Sequence, residues 1–195
     1  MKIFNRLIIF VTLAIISGCS FGPKTFKETT LDDMYPILTE EQYQALKSQN
    51  SDEEVNKFLD VCWSEIDSTS DAGKGELKAE YLKRLEYANE HYPDRRGWGR
   101  SDRKRIYLVY GPPSSIDREE STNIQLGTYS TIKSLEIWLY MTPGKNNSLP
   151  SRGDGVYNKG EKKFIFGDET GNGNFRLLYS SEDNGDIDLR MFNHN

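Results

Sequence analysis

Histidine and cysteine are almost missing from this chain. Among 195 residues there are two of each: His91, His194, Cys19 and Cys62. That scarcity removes the usual metal and nucleophile signatures. No His-Glu-x-x-His, paired Cys-x-x-Cys, Gly-x-Ser-x-Gly or phosphate loop occurs. No catalytic set, metal site or cofactor is expected. Cationic excess is lacking too: 25 Lys and Arg stand against 30 Asp and Glu, a formal net charge of −5. A nucleic-acid binder would normally be basic, so that class is set aside. Long hydrophobic runs are also absent. The longest, Leu7–Ile16 (LIIFVTLAII), is far short of the roughly 20 residues that a membrane-crossing helix needs. Behind the positive Lys2 and Arg6 it suits the apolar region of a secretory leader.

What is present starts at the end of that leader. Ile16-Ser17-Gly18-Cys19 resembles a bacterial lipobox. The resemblance implies that Cys19 is diacylated on sulfur and becomes the mature N-terminus. Two or three acyl chains give stable anchoring where one would be marginal. Ser20 follows, not Asp, and no acidic cluster comes after it. In lipoprotein sorting this resembles an outer-membrane destination, on the inner leaflet facing the periplasm. With Cys19 committed to lipid, Cys62 has no disulfide partner. Residues 1–18 are thus expected to be a signal peptide and 19–38 a tether, marked by Gly22, Pro23 and Pro36. A single domain follows over 39–195, ample in length for a core.

Within it, Thr39-Glu-Glu-Gln42 has the form of a capping box, and Ser51-Asp-Glu-Glu54 repeats the device. Val55, Phe58, Leu59, Cys62, Trp63 and Ile66 then recur at helical spacing as one apolar stripe. Cys62 reads there as a small buried hydrophobe, not a nucleophile. A third helix presents Leu77, Tyr81, Leu85, Ala88 and Tyr92 inward, and Pro93 ends it. The helical part therefore covers 39–92. A β-rich part is expected over 97–192. Its strands are Arg105–Tyr110, Ser134–Met141, Lys163–Gly167, Asn174–Ser181 and Ile187–Phe192. Leu135, Ile137, Leu139 and Met141 share one face of the second. Gly171-Asn-Gly173 suits a hairpin turn, and 117–131 and 143–161 read as polar loops. Helices first and strands afterwards predict an α+β fold, with N-terminal helices packed on a C-terminal antiparallel sheet.

Between the two parts lies RRGWGRSDRKRIYLVYGPP, residues 95–113, with six cations from Arg95 to Arg105. Gly97 and Gly99 permit a tight turn, and Trp98 buries a large ring. Ser101 or Asp102 can accept from nearby backbone N–H groups. Arg103 or Arg105 can pair with Asp102. In a second reading Arg95, Arg96, Arg100, Arg103 and Lys104 form a cationic rim around Trp98 for an anionic glycan, lipid head group or acidic partner. Gly171-x-Gly173 opens no helix, so a dinucleotide site fails. The acidic Asp168-Glu169 and 182–188 runs do not fit a calcium loop and read as solvated turns.

GWGRSD followed by RIYLVYGPP resembles the hallmark of the GWxTD domain of bacterial envelope proteins: Gly-Trp-x-Thr-Asp, then a strand ending in Tyr-Gly-Pro-Pro, here Tyr110, Gly111, Pro112 and Pro113. EYLKRLEYANEHY (80–92), EIWLY (136–140), FIFGDETGNG and FRLLYSS extend the similarity over roughly 55–181. Trp98 is separated from Asp102 by Gly99, Arg100 and Ser101, one residue more than the hallmark, with Ser in place of Thr. The resemblance implies a fold and a place in the cell envelope and names no activity; together with the lipobox, the chain is read as a lipid-anchored envelope protein acting as a non-catalytic binding or assembly module. Its partners would be the membrane, through the anchor, and an anionic envelope component or another envelope protein. An envelope hydrolase working through carboxylates is the alternative.

Overall fold

The computed structural model describes residues 23–68, 73–93, 101–126, 130–141 and 161–181. Among these residues five helices come first: α1 (Phe26–Met34), α2 (Glu40–Ser48), α3 (Asp52–Ser68), α4 (Glu76–His91) and α5 (Asp102–Tyr110). Strands β1 (Ser115–Leu126), β2 (Ser130–Tyr140), β3 (Lys162–Asp168) and β4 (Arg176–Ser180) follow as an antiparallel sheet in chain order. The α+β expectation holds. No helix among the described residues is long and apolar enough to cross a membrane.

Local chemistry starts the helices where the sequence indicates. Thr39 accepts from the Gln42 amide while the Gln42 side chain accepts from the Thr39 amide. At α3 the Ser51 hydroxyl accepts from the Glu54 amide, while the Glu54 carboxylate accepts from the amide one residue further back, that of Asn50. Val55, Cys62, Trp63 and Ile66 of α3 and Leu77, Tyr81 and Ala88 of α4 are buried. They join Trp138, Tyr140, Phe164, Phe166 and Leu177 of the sheet in one core.

Four expectations are corrected. The stretch read as a tether is folded from Thr25 onward: Thr25 and Glu28 form a capping box on α1, and Met34, Ile37 and Leu38 belong to the core. Arg105–Tyr110 is not a strand but the body of α5, whose Ile106, Tyr107, Leu108 and Val109 are all buried. A helix buried nearly all round presents a continuous apolar run, which periodicity cannot separate from a strand over six residues. Most of the supposed loop at 117–131 is β1 and the start of β2, paired from Ser115↔Leu139 to Leu126↔Ser130. Finally, β2 turns its aromatic side to the helices. Trp138 and Tyr140 enter the main core, whereas Leu135 joins Ile132 and Leu178 in a small second cluster and Met141 is exposed. The loop expected at 143–161 and the strand at 187–192 lie outside the described residues.

The hairpin at Gly171–Gly173 is confirmed, with φ of 74° and 82° at its glycines. Its anchor is Asp168, which is buried and not a solvated turn residue. Oδ1 accepts from the Thr170 amide (3.0 Å) and hydroxyl (3.1 Å) and the Gly171 amide (2.9 Å); Oδ2 accepts from the Gly173 amide (2.6 Å). Burial alone pushes this carboxyl up. The amides of Gly173, Gly171 and Thr170 outweigh it and hold Asp168 below the usual aspartate range.

Candidate functional site

The hallmark is built around the start of α5. Ser101 is the N-cap: it is buried, and its hydroxyl accepts from the Lys104 amide at 3.3 Å. Asp102, in the first turn, suits the positive end of the helix dipole. Its Oδ2 accepts from the Leu177 amide of β4 at 2.9 Å, so one carboxylate ties the helix to the sheet. Its Oδ1 lies 3.8 Å from the Arg105 guanidinium. Both hallmark residues therefore bind backbone N–H groups, as their chemistry suggests, and Arg105 is the cation beside Asp102.

Arg103 goes elsewhere. The first turn of α5 directs it inward, where Nη1 lies 3.2 Å from Glu136 Oε1 and Nη2 donates to the Gly173 carbonyl at 3.2 Å. Its guanidinium carbon sits 4.1 Å from the Phe175 ring centre and 5.3 Å from that of Tyr92, within cation–π range. Arg103 is thus an interior residue and not part of an exposed rim. Glu136 receives two more donors, Arg118 Nε at 2.9 Å and Trp138 Nε1 at 3.1 Å. Lys104 is likewise committed, at 2.7 Å from Asp33 Oδ1 of α1 and 2.6 Å from Asn89 Oδ1 of α4.

The other end of α5 is closed by Tyr110-Gly111-Pro112-Pro113. Gly111 caps the helix at φ 75°, a conformation that L side chains rarely adopt. Its carbonyl accepts from the Tyr140 hydroxyl at 3.0 Å. A Cβ there would lie 3.1 Å from the guanidinium carbon of Arg84. Buried Arg84 donates to the free carbonyls of Leu108 (3.1 Å) and Val109 (2.9 Å) and pairs with Glu80. The Tyr110 ring packs on Tyr140 and Phe164. Pro112 is exposed and Pro113 half-buried, where the chain leaves for β1. Tyr-Gly-Pro-Pro therefore ends a helix, where a strand end was expected.

Two adjoining clefts border this assembly. One, of about 200 Å³, is lined by Asp32, Tyr35, Pro36, Ser101, Asp102, Lys104, Arg105 and Leu108. The other, of about 230 Å³, is lined by Lys24, Thr29, Asp32, Asp33, Asn89, Pro93 and Lys104. Arg95, Arg96, Gly97, Trp98, Gly99 and Arg100 lie outside the described residues, as does Cys19. Pro93 and Ser101, the described residues on either side of the hallmark segment, both line these clefts.

The second thiol offers no nucleophile. Cys62 is buried in α3, and burial, with Glu65 nearby, pushes its thiol up to about 11. His91 is an exposed residue at the end of α4, stacked on Tyr87 at 3.9 Å. Among the described residues no three His, Cys, Asp or Glu side chains gather as a metal site would require. Sequence reasoning missed Glu136 and Arg84, the acceptor and the cap on which α5 rests. The Arg84 signal lay only in its place on the inner side of a helix, and Glu136 carried none, standing in an apolar strand.

A helix locked by Ser and Asp at one end and by Gly at the other, docked on a four-stranded meander, is the class of domain these residues define. A family model for the GWxTD domain matches residues 15–149, and the chain belongs to that family. The match starts earlier than the resemblance over 55–181 and takes in α2 and α1, whose Asp32 lines both clefts, and it ends before β3 and β4. No curated protein and no solved structure matches the chain.

Proposed function

We propose that this protein is a lipid-anchored component of the bacterial cell envelope whose GWxTD domain is a binding or assembly module. The observation that carries the reading is the commitment of the hallmark side chains. Ser101, Asp102 and Arg103 each hold α5 to its own backbone or to the sheet. Their work is to fix the flank of the hallmark segment beside the clefts. Recognition then falls to Arg95, Arg96 and Arg100, whose segment joins two cleft-lining residues, and their charge selects an anionic envelope component or an acidic protein.

Two experiments test the two parts. Cys19→Ala should abolish acyl labelling and move the protein from the membrane to the soluble fraction; continued labelling would defeat the anchor. Replacing Arg95, Arg96 and Arg100 together with Ser should leave the unfolding midpoint nearly unchanged if these cations serve a partner and not the fold. The same change should weaken partner recovery after crosslinking in intact envelopes. The wild-type interaction should also fall as salt is raised past physiological strength, where screening acts within about 8 Å. Identical partner lists for wild type and the triple variant, at low and high salt, would retire the binding role of these arginines.

A further inference from the structure

We propose that the face carrying the two clefts, between α1 and the start of α5, is held against the bilayer and covered by lipid headgroups in the anchored protein. The proposal rests on acylation of Cys19. It follows from how little chain separates that residue from the fold. Thr25 already caps α1, and Lys24 is tied to Asp32 at 2.6 Å. Five peptide steps connect Cys19 to Lys24, so even full extension spans only about 18 Å. That is shorter than the 17-residue α3, which runs about 25 Å at 1.5 Å per residue. A domain larger than its own leash cannot present its far side to the membrane.

The leash also enters on a definite side. Lys24 lines one cleft together with Asp33, Asn89 and Pro93, and that cleft shares Asp32 and Lys104 with the other. The first residue of α1, Phe26, is 44% exposed, an aromatic side chain placed where the chain comes up from the acyl groups. Aromatic rings of this kind settle at the boundary between headgroups and acyl chains. Among the described lining residues charge is balanced, with Lys24, Lys104 and Arg105 opposite Asp32, Asp33 and Asp102. Apposition is therefore imposed by the anchor and does not require an anionic lipid.

The test uses the acylated full-length protein in phosphatidylcholine vesicles whose headgroups carry a nitroxide quencher. A fluorophore is attached at Phe26→Cys or, for comparison, at Glu119→Cys on the exposed surface of β1. Cys62 is buried and stays unlabelled. Position 26 should lose most of its fluorescence and position 119 little. Inserting a Gly/Ser segment of about twenty residues after Ser20, which behaves as a flexible coil, should abolish the difference. Equal quenching at the two positions in acylated, vesicle-bound protein would overturn the apposition. Intact mass separates that failure from failure of the anchor: a chain without acyl groups would remove the lipid anchor and this proposal with it.

Discussion

Glu136→Ala should destabilise the domain by about 3–5 kcal/mol, the usual cost of stranding one member of a buried ion pair. In a chain of this size that is a fall on the order of 10 °C in the unfolding midpoint. The side chain is 4% exposed and accepts from three donors that fare differently when it goes. Arg118 is 63% exposed and turns to water. Arg103, only 11% exposed, keeps a buried charge with no carboxylate, and the Trp138 indole N–H loses its acceptor. Glu136→Gln retains the volume and an acceptor and should cost clearly less. Thermal unfolding followed by near-UV dichroism reads both. An Ala variant that melts with the wild type would mean that the pair is solvated and that α5 is held by something else.

The second large effect is expected at Asp168. Asp168→Ala removes a charged acceptor from three amides and a hydroxyl, a loss of about 2–4 kcal/mol once exposed donors find water. The pH dependence gives a sharper signature. Because the folded carboxyl lies below the usual aspartate range, its contribution is fully present above the unfolded pKa. It is lost as the pH falls through the folded pKa. Asp168→Asn should therefore lower stability most at neutral pH and approach wild type in acid. Parallel stability–pH curves for the two proteins, measured by urea unfolding, would refute the assignment. Since Gly173 also accepts from Arg103, loosening this turn should reach α5 as well.

How much of this was legible depends on whether the deciding interaction was local. Thr39 with Gln42, Ser51 with Glu54 and Gly171 with Gly173 act within a few residues, and each could be read directly. Thr25-x-x-Glu28 carried the same capping signal for α1, but nearby glycine and prolines outweighed it. In α5 the Ser101 cap and first-turn Asp102 favoured a helix. The aromatic and β-branched run Ile106–Tyr110 pulled toward a strand, and only burial on every side explains the conflict. That misreading also placed Arg103 outside, since its direction depends on the helix being there. Glu136 was invisible for a different reason: the partners that make it bearable in the core come from residues 103 and 118, and strand alternation says nothing of them. β1 has a mostly exposed polar surface over Asp117–Glu120, and its pairing is set by β2.

The bond between Asp102 and the Leu177 amide has a consequence for self-association. An open sheet with strands in chain order has two borders, and unpaired N–H groups on either are templates for another chain. On the β4 border the carboxylate already occupies the Leu177 amide, and the α5 terminus stands where an incoming backbone would lie. On the β1 border, Asp117, Arg118, Glu119 and Glu120 are exposed and charged, which disfavours stacking of like copies. The hallmark aspartate thus does more than fasten a helix. Losing it should expose a growth point, so Asp102 variants would fail first by polymerising.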